Sequence, residues 1–300
     1  MKYPITRPVA LLHRPASTLH IRPRSEGGYV QRCNYVYAEA HGMALVMDVF
    51  RPEGNPKGRG IVDVVSNGWL SDRVQLNEHI GLGIYDVLCR RGYTVFAVSP
   101  GSVTKTTGLD MVRHVREAIR HIKAQHEHFQ IDPHRLGITG ASAGGHLAAL
   151  AALLPKPARP ASNDPFRSQD THIRAAGLFF PPTDLLDYDG APFPLVETEG
   201  IPFDRLLFEN GLSGRAPEEV EHRIIELSPV RRVKDKPPPF LLFHGTADPR
   251  VPLSQSKKLA DAVRAMGGDA DLVVKEGGGH PWPGIRAEIE QLADCFDHRL

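Results

Sequence analysis

Gly140-Ala141-Ser142-Ala143-Gly144 sets one serine among small neighbours, Gly145 included, between a strand pattern (Arg135–Thr139) and a helical one (Ala143–Leu154). A strand that turns this sharply into a helix leaves no room for larger side chains. It lifts the serine hydroxyl above the sheet edge on a strained backbone. The new helix points its free N–H groups and positive dipole end at the same place, where negative charge is stabilised.

The surrounding pattern repeats this strand–helix unit. Strands are predicted at Tyr35–Ala38, Ala44–Phe50, Gly60–Val65, Tyr93–Val98, Ile173–Phe180, Phe240–His244 and Ala270–Lys275. Helices are predicted at Asn77–Arg91, Leu109–Phe129, Ser254–Met266 and Gly284–Phe296. Alternation of this kind implies an α/β fold with a mostly parallel central sheet flanked by helices, and the first, closely joined strands antiparallel. With 300 residues, 41% of them hydrophobic, the chain can bury a large core. Residues 1–30, with Pro4, Pro8, Pro15 and Pro23, read as an N-terminal arm, and residues 31–300 as one α/β domain. Pro181–Lys236 breaks the alternation as an insertion after the strand that follows the Ser142 helix. It is either a cap over an active site or a structural elaboration.

Several function classes drop out. A net charge of +1 gives no electrostatic footprint for nucleic acid. No apolar run reaches the ~18–20 residues of a membrane span. Cys33, Cys89 and Cys295 lie too far apart for a metal-ligand pair or a disulfide framework, and no cofactor or metal is implied. Residues 1–8 lack a signal peptide's apolar core, which favours a cytoplasmic protein unless a leader has been removed.

A serine hydroxyl needs a base. His280 follows Gly277-Gly278-Gly279 and precedes Pro281, so it falls on a loop after a strand, where an α/β sheet places its site. His146 lies one turn inside the Ser142 helix, and His244 ends a strand as structural support. Asp248, in the turn after Phe240–His244, is the carboxylate to orient His280, with Asp184 its rival. Oxyanion donors would be the N–H of Ala143 and that of Asn67 or Gly68, after the third strand. Trp69, with Phe179, Phe180 and parts of the insertion, is a candidate wall of the pocket, each aromatic being otherwise a core residue.

Taken together, these segments resemble the α/β-hydrolase superfamily. The likeness is to its esterase/lipase group and bacterial carbohydrate esterases of feruloyl and acetylxylan type, with wider kinship to the prolyl-oligopeptidase catalytic domain. The likeness covers roughly residues 40–298. It rests on Met47-Asp48-Val49-Phe50-Arg51-Pro52, Ile131-Asp132-Pro133-His134-Arg135-Leu136, Gly140–Ala148, Leu227-Ser228-Pro229-Val230, His244–Pro252 and Gly278-Gly279-His280. Ser142, Asp248 and His280 fall on the family's nucleophile, acid and base. Such esterases usually carry His-Gly-Gly-Gly-Trp after the third strand; here the stretch is Val65-Ser66-Asn67-Gly68-Trp69. Ser99-Pro100-Gly101 likewise replaces the usual Asp-Tyr-Arg. The resemblance implies a serine carboxylesterase acting on a small-molecule ester, short-chain or carbohydrate-linked, through an acyl-enzyme. A serine peptidase and a catalytically silent binding protein are the alternatives.

Overall fold

The computed structural model describes residues 28–40, 42–54, 56–234 and 236–300. In chain order these form β1 (Tyr29–Ala40), β2 (Met43–Pro52), β3 (Arg59–Val64), α1 (Arg73–Leu82), α2 (Ile84–Arg90), β4 (Tyr93–Val98), α3 (Gly108–Ala124), α4 (His126–Phe129), β5 (Leu136–Ala141) and α5 (Ala143–Leu153). There follow β6 (Ala175–Phe179), the two-residue strands β7 (Glu197–Thr198) and β8 (Ile201–Pro202), α6 (Pro217–Glu226), β9 (Phe240–Gly245), α7 (Leu253–Ala265), β10 (Ala270–Lys275) and α8 (Arg286–Arg299).

Eight strands make one sheet in the order β1-β2-β4-β3-β5-β6-β9-β10. β1, β2 and β4 pair antiparallel, and every pair from β4 across to β10 is parallel. Side chains alternate between faces along a strand, so each strand feeds two cores. Val62, Val64, Phe96 and Ile138 pack with α3, α5 and α7 on one face; Ile61, Val95 and Phe243 pack with α1, α2 and α8 on the other. Both faces of the parallel strands are covered, which is why β3 and β4 read as near-continuous apolar runs. Asp63 is the exception in β3.

Three boundaries move for identifiable reasons. β1 begins at Tyr29, inside the predicted arm, because Tyr29 and Val30 pair with Pro52 and Arg51 and the Tyr29 ring packs edge-on against Phe50. The rest of that arm, residues 1–27, and His41, between the first two predicted strands, lie outside the described residues. The single helix expected over Asn77–Arg91 is two: Asp72 starts α1 early by accepting from the amides of Val74 and Gln75, and Gly83, at φ +82°, ends it.

The insertion lies where the pattern put it and holds β7, β8 and α6. Asp184, the rival acid, anchors its two ends to each other, accepting from Arg231 Nε at 2.9 Å and Nη2 at 3.0 Å.

Candidate active site

Ser142 joins β5 to α5 at φ +53°, ψ −124°. A non-glycine residue in this region costs of order 1–3 kcal/mol and persists only where its surroundings enforce it. Here the enforcement is a close backbone approach. Gly144 lies so near β3 that a Cβ there would stand 2.1 Å from the Val64 carbonyl oxygen, and its N–H donates to Ser66 O at 2.9 Å. The Ser142 N–H in turn donates to Phe179 O at 2.9 Å.

The loops after β9 and β10 are clasped in the same way. A Cβ on Gly245 would meet Gly278 O at 2.1 Å, and the Ala247 N–H donates to that oxygen at 2.9 Å. The glycine run before His280 therefore lets two loops touch. Their contact brings His280 Nδ1 to 2.7 Å from Asp248 Oδ2. The other carboxylate oxygen of Asp248 accepts from the amides of Arg250 and Val251 at 2.8 and 2.9 Å. Burial alone would raise this carboxyl's pKa. The hydrogen bond from His280, the Val251 amide, the His280 charge and the Arg250 amide outweigh it and hold it below the usual carboxylate value.

Ser142 and His280 open on one cavity of about 380 Å³, whose walls also include Ser66, Asn67, His79, Phe180 and Arg250. An imidazole whose Nδ1–H is held by a carboxylate offers the lone pair of Nε2 as a base. Phe180 walls the site, its ring centroid 4.2 Å from that of His280. Phe179 instead stacks on Phe243 in the core. No described residue of the insertion is among the cavity walls.

Two expectations need correction. Asn67 cannot lend its backbone N–H to an oxyanion, because that N–H donates to Leu70 O at 2.9 Å and Leu70 donates back to Asn67 O. Its side chain donates to Glu78 Oε2 at 3.2 Å. This tight turn leaves the Gly68 N–H without an acceptor among the described residues. Trp69 is not a pocket wall. It is buried edge-on to His146, Phe193 and Phe203, and its Nε1–H donates to His146 Nδ1 at 3.0 Å. His146 passes the chain of bonds on from Nε2 to Leu227 O at 2.6 Å, and burial pushes its pKa down to about 4. It is a neutral strut tying α5 to the insertion. His244, donating to Val251 O and accepting from Ser256 Oγ, braces the Asp248 turn.

Sequence reasoning missed two features. Ser66 is buried at the cavity wall, and its hydroxyl has no hydrogen-bond partner among the described residues. His79 also lines the cavity, with Nδ1 2.7 Å from Asp63 Oδ2, and Tyr85 donates to the same oxygen at 2.7 Å. Burial lowers the pKa of His79, but the carboxylates of Asp63 and then Glu78 outweigh it, and the net shift is upward. The one available signal was Asp63 itself, an acid in an otherwise apolar strand.

The BD-FAE family model matches residues 47–263 of this chain. The chain belongs to the BD-FAE family. It is 29% identical over 234 residues to the probable carboxylic ester hydrolase LipM of Mycobacterium tuberculosis, covering 75% of this chain and 50% of LipM. It is 26% identical to the isoprenylcysteine alpha-carbonyl methylesterase ICME of Arabidopsis thaliana, covering 78% and 53%. The chain thus spans about half the length of these curated relatives. Among solved structures, a truncated carbohydrate esterase from gut microbiota superposes with a TM-score of 0.76 at 23% identity, over 93% of this chain and 99% of that one. The fold is that of the α/β-hydrolases.

Proposed function

We propose that this BD-FAE protein is a serine carboxylic ester hydrolase for short-chain acyl esters, those on carbohydrates included. The observation that carries the reading is one cavity shared by a strained elbow serine and an imidazole held 2.7 Å from a buried carboxylate. Ser142 attacks the ester carbonyl while His280 Nε2 takes its proton, and Asp248 holds the imidazole in the required tautomer and stabilises the imidazolium. The tetrahedral oxyanion is met by the N–H of Ala143, left without an intrahelical acceptor at the start of α5, by the Gly68 N–H and by the Ser66 hydroxyl. His280 then protonates the leaving alcohol, and water repeats the cycle on the acyl-enzyme.

The substrate class is argued from the walls. A volume of about 380 Å³ lies at the small end of ligand pockets, which suits a short acyl group. Asn67, Glu78, His79 and Arg250 give it polar groups suited to hydroxyls on the alcohol side. The names of the relatives, a carboxylic ester hydrolase and a methylesterase, support ester chemistry. One observation favours a second reading of the base, since the His79–Asp63 pair faces the same cavity.

The test is labelling by a fluorophosphonate together with turnover of p-nitrophenyl acetate. Label and turnover are expected in the native protein and neither in Ser142→Ala. His280→Ala should abolish turnover, whereas His79→Gln should leave most of it. The reverse order would move the base to His79, an unlabelled native protein would make this a binding protein, and preference for an aminoacyl-nitroanilide would make it a peptidase.

A further inference from the structure

A cavity of about 940 Å³ lies away from Ser142, sharing no wall residue with the cavity that holds it. Its walls are the C-terminal end of α5 (Leu150–Leu154), the outer face of α3, and the segments leading into β6 and β9 (Ile173-Arg174 and Pro237-Pro238). It therefore lies at the amino edge of the parallel strands, opposite the edge that carries Ser142, Asp248 and His280.

Its lining is strongly unbalanced. Ten lysine or arginine side chains face two glutamates, in a chain whose overall charge is only +1. Arg113, Arg116 and Arg120 recur at spacings of three and four and so share one face of α3. Lys156 and Arg159 approach from the segment after α5, and Arg232 and Lys234 from the segment after α6. The two acids are already engaged. Glu117 pairs with Arg120 at 3.1 Å, and Glu226 with Arg223, outside the cavity, at 2.8 Å. Among the described residues, Arg116, Lys156, Arg159, Arg232 and Lys234 form no ion pair, and Arg116 Nε is buried without a hydrogen-bond partner. Burial, then the charges of Arg120 and Arg232, push the Arg116 pKa down to about 10; Lys156 is pushed down first by Arg116.

Undescribed parts of the chain cannot restore the balance. Residues 1–27 carry five Lys or Arg against one acid, Glu26, and Asp235 adds a single carboxylate. Like charges gathered in a concave, partly buried site destabilise the fold unless something of opposite sign fills it. Guanidinium forks match phosphate oxygens bidentately, and the volume is that of a small organic ligand. A nucleic-acid face would call for an extended basic stripe, whereas these charges converge on one concave cavity.

We propose that this cavity binds a small ligand bearing two or more phosphate groups, at a site separate from the ester-hydrolysing cavity and independent of how Ser142 is read. The probes are inorganic tripolyphosphate and a nucleoside triphosphate, with inorganic phosphate, and chloride at matched ionic strength, as controls. Calorimetric titration and thermal denaturation should show tripolyphosphate binding at micromolar Kd and raising Tm, with phosphate at least tenfold weaker. Tighter binding of the nucleoside triphosphate would identify a nucleotide as the source, and equal binding a bare polyphosphate. Arg116→Gln with Lys156→Gln should weaken binding tenfold or more, leave ester turnover unchanged and raise the ligand-free Tm by relieving repulsion. Arg232→Gln provides a second, independent lesion from another segment with the same expected loss. No binding beyond the chloride control, binding undiminished in both variants, or binding only of single-stranded RNA would overturn the proposal.

Discussion

Replacing Ser66 by alanine separates a catalytic hydroxyl from a structural one by the sign of two effects. The hydroxyl is buried, lacks a partner among the described residues, and lies beside Ser142 because the Ser66 carbonyl accepts from Gly144. A buried polar group left unpaired costs about 1–3 kcal/mol, so removing this one should stabilise the fold, by about 1 kcal/mol at the low end. For a chain of this size that is a rise in Tm of roughly 2 °C. Losing an oxyanion donor costs about 2.7–4 kcal/mol in a fully formed hole. A hydroxyl that must rotate into place belongs at the lower bound, a fall in kcat of about 100-fold. KM should hold, because the charge it meets develops only in the transition state. The assay is p-nitrophenyl acetate hydrolysis under saturation, with thermal denaturation of the same preparation. A variant that melts lower and turns over normally would refute the reasoning, since the hydroxyl would then have a structural partner and no part in the reaction.

The two acids considered from the sequence should part company. Asp248→Asn is expected to lower kcat by about 10⁴-fold through the wrong histidine tautomer. Asp184→Asn should leave kcat within a few fold while lowering Tm, because it weakens the bidentate pair with Arg231 that fastens the insertion; urea titrations and initial rates on both variants check this. For His79 the folded pKa is raised, so the stability it contributes is complete below its unfolded value of about 6.5 and is lost as pH rises through the folded one. The advantage of the native protein over His79→Gln in urea denaturation should therefore be largest at pH 5–6 and shrink toward pH 9. An advantage that grows with pH would reverse the assignment.

What could be read from the sequence was local or periodic. The elbow serine, the glycine run before His280 and the strand-end position of Asp248 are each visible in a few consecutive residues, and alternating apolar residues place both sheet faces. What could not be read depends on chain segments meeting from afar. Trp69 is a core residue because Phe193 and Phe203 of the insertion close over it. The Asn67 amide is spent because Trp69 adopts φ +57°, a conformation its residue type does not advertise. His79 meets Asp63 only once α1 folds back over β3. The basic cavity has the same character: the α3 arginines show a helical period, but Lys156 and Arg232 reach them from segments 76 residues apart.

Helix α5 runs from one cavity to the other. Its first amides face Ser142, where negative charge develops, and its last carbonyls face the cavity lined with cations. Eleven residues at 1.5 Å each set the two ends about 16 Å apart. At that distance in water a unit charge changes another's energy by about 0.3 kcal/mol, and at physiological salt the separation is about two Debye lengths. An anion bound at the far end therefore shifts the oxyanion's energy by less than thermal energy unless the helix itself moves. Binding at the basic cavity must be read from calorimetry and Tm, and unchanged ester turnover there is the result expected of two sites sharing one rigid helix.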